Sequence, residues 1–89
     1  MTLEEAKALR VGDMIRYRCF ENNMETIEIV IEEWGYNGAK DELVFPVVSA
    51  SLQTIAVIKE GDDEWEYRAK VGDEGWINEY NVEDFEKMT

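Results

Sequence analysis

Twenty-one carboxylates, nine basic side chains and no histidine set the chemistry open to this 89-residue chain. Without an imidazole it lacks the commonest general base and metal ligand. The one cysteine, Cys19, has no histidine to activate it and reads as a structural thiol. No nucleophile elbow, phosphate-binding glycine loop, dinucleotide-binding glycine pattern or paired-cysteine zinc motif occurs. The densest acidic run, Glu60-Gly61-Asp62-Asp63-Glu64, lacks the spacing of a calcium loop and reads as a solvated hairpin tip. An enzyme built from this inventory needs a pair of carboxylates brought together in a cleft. The expectation is a chain with no catalytic residues, no cofactor and no metal.

The carboxylates are unevenly placed. Residues 1–20 carry three acids and four bases, and residues 21–89 carry eighteen acids and five bases, for a net charge of −12. Bare nucleic acid and anionic membranes are repelled by such a chain, and a basic protein surface is attracted. Outward positions on the second strand would offer Glu25, Glu28, Glu32 and Glu33; a later hairpin Glu60, Asp62, Asp63, Glu64 and Glu66; and the C-terminal part Glu79, Glu83, Asp84 and Glu86. Carboxylates two apart on one strand face repeat every ~6.8 Å, close to the phosphate spacing of a nucleic-acid strand. Partner contact is therefore expected from Glu28, Glu32, Glu33, Asp62, Asp63, Glu64 and Glu66. Three aromatics that flank loops, Trp34, Tyr36 and Tyr80, offer a second kind of contact, a groove for a peptide. Against both stands plain solubility, which a high net charge also serves.

The elements that must hold these groups follow from alternation and turn residues. Length indicates one domain, 1–89, and an apolar fraction of 45% with three Trp, four Tyr and three Phe supplies one modest core. Thr2-Leu3-Glu4-Glu5 is a capping box that opens a short helix ending near Leu9, before the Val11-Gly12-Asp13 turn. Met14 to Phe20 alternates, with Ile15, Tyr17 and Cys19 to one side and Arg16 and Arg18 to the other. After a Glu21-Asn22-Asn23 turn, Glu25 to Trp34 alternates again. Its isoleucines, Ile27, Ile29 and Ile31, are expected inward, and Glu28 and Glu32 outward, paired with Arg16 and Arg18. Strands are also expected over Leu43–Val48 (an edge strand or one with a bulge, because of Pro46), Ser51–Lys59, Glu64–Lys70 and Trp76–Glu79, with a last helical turn from Asn81. The two Val-Gly-Asp triplets read as turn chemistry. The single cysteine, a first segment without signal-peptide character and the lack of a long apolar run point to a cytoplasmic protein.

Two segments carry a resemblance. Leu9-Arg10-Val11-Gly12-Asp13-Met14-Ile15-Arg16-Tyr17 resembles the opening strand of SH3-like barrels found in small phage and bacterial proteins. Gly75-Trp76-Ile77-Asn78-Glu79-Tyr80-Asn81-Val82-Glu83-Asp84-Phe85 is similar to their closing strand and helical turn. The resemblance covers about a quarter of the chain and implies an all-β fold, an SH3-like barrel or strongly bent antiparallel sheet of five to six strands with short terminal helices. The segment from Tyr36 to Leu52 departs from it, as an insertion or an extra strand. The function expected is a non-enzymatic protein-binding domain whose acidic surface engages a basic partner. Its most concrete form is a phage-type nucleic-acid mimic that inhibits a host nuclease or DNA-binding defence protein. The alternative is a structural or adaptor barrel that binds a peptide or larger assembly through the loop aromatics.

Overall fold

The computed structural model describes residues 1–35, 48–61 and 68–88. A short helix, α1 (Leu3–Lys7), precedes β1 (Met14–Cys19), β2 (Met24–Gly35), β3 (Ser49–Glu60), β4 (Glu74–Asn78), a 3-10 turn over Val82–Asp84 and β5 (Phe85–Lys87). The strands form one antiparallel sheet in the order β4-β3-β2-β1-β5. The all-β class with a bent sheet holds, with five strands among the described residues. The edges of the sheet are β4 and β5, joined through the 3-10 turn, so both edges come from the C-terminal part of the chain.

The capping box opens α1 as its residues dictate. The Glu5 amide donates to Thr2 Oγ1 at 3.2 Å and the Thr2 amide donates to Glu5 Oε1 at 3.0 Å. The Thr2 amide, and to a lesser degree the Thr2 hydroxyl, hold the Glu5 carboxyl below its ordinary value. Ala6 and Leu9 are buried and join Ile15, Val30, Leu52 and Phe85 in the core. Burying the larger of these, Leu9, Ile15, Val30, Leu52 and Phe85, contributes roughly 1.5–3 kcal/mol each.

The face of β2 is the reverse of the one its isoleucines suggest. Met24, Thr26, Glu28 and Val30 are buried, while Ile27, Ile29 and Ile31 are half-buried on the other side. Register explains the reversal. The turn over Phe20 to Asn23, with Asn23 at φ 54°, pairs Cys19 with Met24, hence Tyr17 with Thr26 and Ile15 with Glu28. Directly paired residues share a face, so placing Ile15 and Tyr17 inside places Thr26 and Glu28 inside as well. The same register changes the ion pairs. Arg18 donates to Glu25 at 2.8 Å and approaches Glu86 at 3.6 Å, in place of the expected pairing with Glu28 and Glu32.

Strands β2 and β3 are each twelve residues long and pair through four register shifts. Such bulges bend a strand and increase its twist, which lets two long strands curl over one core. Strand β5, which pairs Ile15 with Lys87 and Tyr17 with Phe85, has no signal in the alternation pattern. The strand expected over Glu64–Lys70 is not formed at Arg68–Lys70, and its earlier part lies outside the described residues, as does the Pro46 segment up to Val47.

The two Val-Gly-Asp triplets form the same device. Gly12 and Gly72 have φ of 96° and 97°, a region that glycine enters without steric cost. The Arg10 amide donates to Asp13 Oδ2 at 2.9 Å and the Lys70 amide to Asp73 Oδ2 at 3.1 Å. Each turn then clamps a long strand with a pair of backbone bonds. Gly12 donates to Val30, which donates to Asp13, both at 2.9 Å; Gly72 donates to Thr54, which donates to Asp73, both at 2.8 Å.

Candidate functional site

Of the hollows among the described residues, two that border the Phe20–Asn23 turn set carboxylates beside apolar or aromatic walls. The first is a cavity of about 270 Å³ on the inner side of the sheet, with Tyr17, Thr26, Glu28, Leu52, Thr54 and Asp73 among its walls and Asn22 at the turn. Glu28 is its chemical centre. The residue is 7% exposed. The Thr54 hydroxyl donates to Glu28 Oε1 at 3.0 Å, and Oε2 is enclosed with no hydrogen-bond partner among the described residues. The Thr26 hydroxyl, two positions away on the same face, favours the ionised form but makes no hydrogen bond of good geometry with Oε2. Burial raises the Glu28 carboxyl above its ordinary value, the Thr54 and Thr26 hydroxyls oppose the rise, and the Asp73 charge adds to it.

The turn chemistry places this group. Glu28 sits where the hairpin register puts it. Thr54, its partner across the β2–β3 pair, is held by the Gly72–Asp73 clamp, and the same turn presents Asp73 to the cavity. Asp73 Oδ2 accepts the Lys70 amide within its own turn. The carboxylate pair in a cleft, which an enzymatic reading of the sequence would need, is therefore present, with one member tied into a turn.

The second hollow, of about 330 Å³, is lined by Arg18, Cys19, Phe20, Glu21, Glu83, Asp84 and Glu86. Phe20 is 83% exposed. The Arg18 guanidinium lies 5.8 Å from the Phe20 ring centroid, within cation–π range, while bonded to Glu25. The one base of the hollow is thus engaged by carboxylates on two strands, and four acids rim an exposed phenyl ring.

The expected contact residues scatter. Glu32 and Glu33 are exposed at the far end of β2. Glu28 leaves the surface altogether, which also removes the row of carboxylates at phosphate spacing expected on β2. Trp34 is half-buried and packs against the core. Tyr80 is 81% exposed, on a turn where the Tyr80 and Asn81 amides both donate to Asn78 Oδ1. Tyr36, Asp62, Asp63, Glu64 and Glu66 lie outside the described residues. Sequence reasoning missed Phe20 and the cavity around Glu28. Phe20 closes the Met14–Phe20 alternation on the side of Arg16 and Arg18, a position from which its exposure follows.

No family model, curated protein or solved structure matches this chain. Among the described residues no group of three or more metal-ligating side chains converges, and no helix is long and apolar enough to cross a membrane.

Proposed function

We propose that the chain is a non-enzymatic protein-binding domain of the cytoplasm that engages a basic partner through its acidic surface, with the Phe20 hollow as the contact centre. The observation that carries the reading is an exposed aromatic ring rimmed by Glu21, Glu83, Asp84 and Glu86 on a chain of net charge −12. An aromatic anchor supplies apolar contact area, and the acidic rim supplies steering and orientation. A phage-type inhibitor that takes the place of nucleic acid on a nuclease or DNA-binding defence protein is the most concrete form of this function. Its carboxylates would come from the C-terminal turn rather than from β2.

The adaptor reading through Trp34, Tyr36 and Tyr80 gains less support, because Trp34 is held by the core. The test is affinity for a partner recovered from a lysate of the source organism, measured with the unaltered chain and with Phe20→Ser. The binding reading expects a loss of about 2 kcal/mol or more for removing an aromatic anchor. Equal affinity of the two chains for every recovered partner contradicts it.

A further inference from the structure

We infer that the Asn81 side chain is a built-in stop on self-association: it closes the outer edge of β4 against strand addition by a second copy of this chain. The inference is independent of the binding reading above.

Strand β4 lies at an edge of the sheet, with β3 as its neighbour among the described residues. An edge strand offers unpaired amide and carbonyl groups to any other extended chain. On β4 those groups are taken by a side chain. Asn81 Nδ2 donates to the Trp76 carbonyl at 2.9 Å, and the Asn78 amide donates to Asn81 Oδ1 at 2.8 Å. One carboxamide therefore meets the backbone groups on either side of Ile77, as the amide and carbonyl of one residue in an added strand would. The position of Asn81 makes this use of its side chain telling. It stands at the N-cap of the 3-10 turn over Val82–Asp84, where asparagine ordinarily accepts from the first amides of the turn. Asn81 makes no such bond, and its side chain faces the strand instead. Asn78 fixes that pose, since its Oδ1 accepts the Tyr80 and Asn81 amides at 2.8 and 3.1 Å.

The strand itself shows what the stop excludes. Glu74-Gly75-Trp76-Ile77-Asn78 carries one charged side chain, and Trp76 is 49% exposed. Two copies of β4 laid antiparallel about a two-fold axis at Trp76 set Trp76 opposite its own copy and Glu74 opposite Asn78. An aromatic pair across strands is stabilising, and no carboxylate directly faces another. The net charge of −12 opposes such a dimer at long range, but salt screens that repulsion. Charge alone therefore leaves this edge open, and Asn81 closes it.

The test is sedimentation velocity of the full chain, unaltered and as Asn81→Ala, over a wide range of concentration and at a salt level that screens the net charge. The unaltered chain is expected to stay monomeric, and Asn81→Ala to dimerise at least about ten-fold more tightly. Asn81→Ser, which keeps a residue suited to cap the 3-10 turn, is expected to behave as the alanine variant does. Adding Trp76→Glu to either variant restores the monomer, because two carboxylates then oppose one another across the pair. Variants that lose stability yet stay monomeric mark Asn81 as a turn residue and overturn the inference. So does a dimer that persists with Trp76→Glu, or a dimer of the unaltered chain. Hydrogen exchange of the unaltered chain stands whatever the substitutions do to folding. The Asn78 amide is expected to be protected about ten-fold or more over an unstructured chain, and exchange at the unstructured rate overturns the inference.

Discussion

Glu28 is the residue at which burial and hydrogen bonding oppose one another most directly. Its carboxyl is raised by burial and by the facing Asp73, and it is moderated by the Thr54 and Thr26 hydroxyls. A carboxyl whose folded value lies above its unfolded value favours folding while protonated. The stability it contributes is fully present below the ordinary glutamate value of 4.5 and is lost as pH rises through the raised folded value. Glu28→Gln therefore raises the melting temperature at neutral pH and makes no comparable difference below about pH 4. Thermal unfolding of both chains across that range checks the sign, and a variant less stable at neutral pH contradicts it. Thr54→Val acts in the opposite direction. It removes the hydroxyl that donates to Oε1 and costs about 1–3 kcal/mol at neutral pH, read from urea denaturation. The face on which Glu28 lies was legible from the residues. A four-residue connection from Cys19 to Met24 fixes the partner of Ile15 as Glu28. Three isoleucines one position out of phase outweigh that relation when strands are judged singly by hydrophobicity, so the error lay in reading β2 apart from β1.

At the scale of elements, β1 and β2 follow from alternation, β3 from its run of apolar and β-branched residues, and the capped helix from the Thr2–Glu5 box. Strand β5 does not, because three residues are too few to show a period, and its pairing with β1 is set by the 3-10 turn before it. The two Val-Gly-Asp turns are visible as turns, but their common role as clamps on Val30 and Thr54 depends on contacts far apart in sequence. They invite a matched comparison. A Cβ at Gly12 or Gly72 meets no atom within 4 Å, so alanine at either position is opposed only by the left-handed backbone. Each substitution costs about 1–2 kcal/mol of stability by that conformational penalty. Urea denaturation of Gly12→Ala and Gly72→Ala checks the pair, and unchanged stability in either variant would contradict its clamp.

For the whole molecule, the sign and size of the charge are plain in the composition, but its arrangement is not. The expected band along β2 dissolves, since Glu28 is buried and Glu25 is bonded to Arg18. What gathers instead is Glu21 from the hairpin turn with Glu83, Asp84 and Glu86 from the end of the chain, because β1 and β5 are neighbours in the sheet. That gathering joins residues more than sixty positions apart and is invisible without the topology. Exposed carboxylates at such a rim speed association with a basic surface and are screened by salt, with a Debye length falling from roughly 10 Å at 0.1 M to 3 Å at 1 M. The most direct test of the acidic recognition surface is the affinity of the recovered basic partner at 50 and at 500 mM salt, for the unaltered chain and for a triple variant, Glu83→Gln with Asp84→Asn and Glu86→Gln. The account predicts affinity that falls by about ten-fold or more between the two salt concentrations for the unaltered chain, and a much flatter response for the triple variant. Equal affinity at both salt concentrations, or identical salt responses in the two chains, would contradict it.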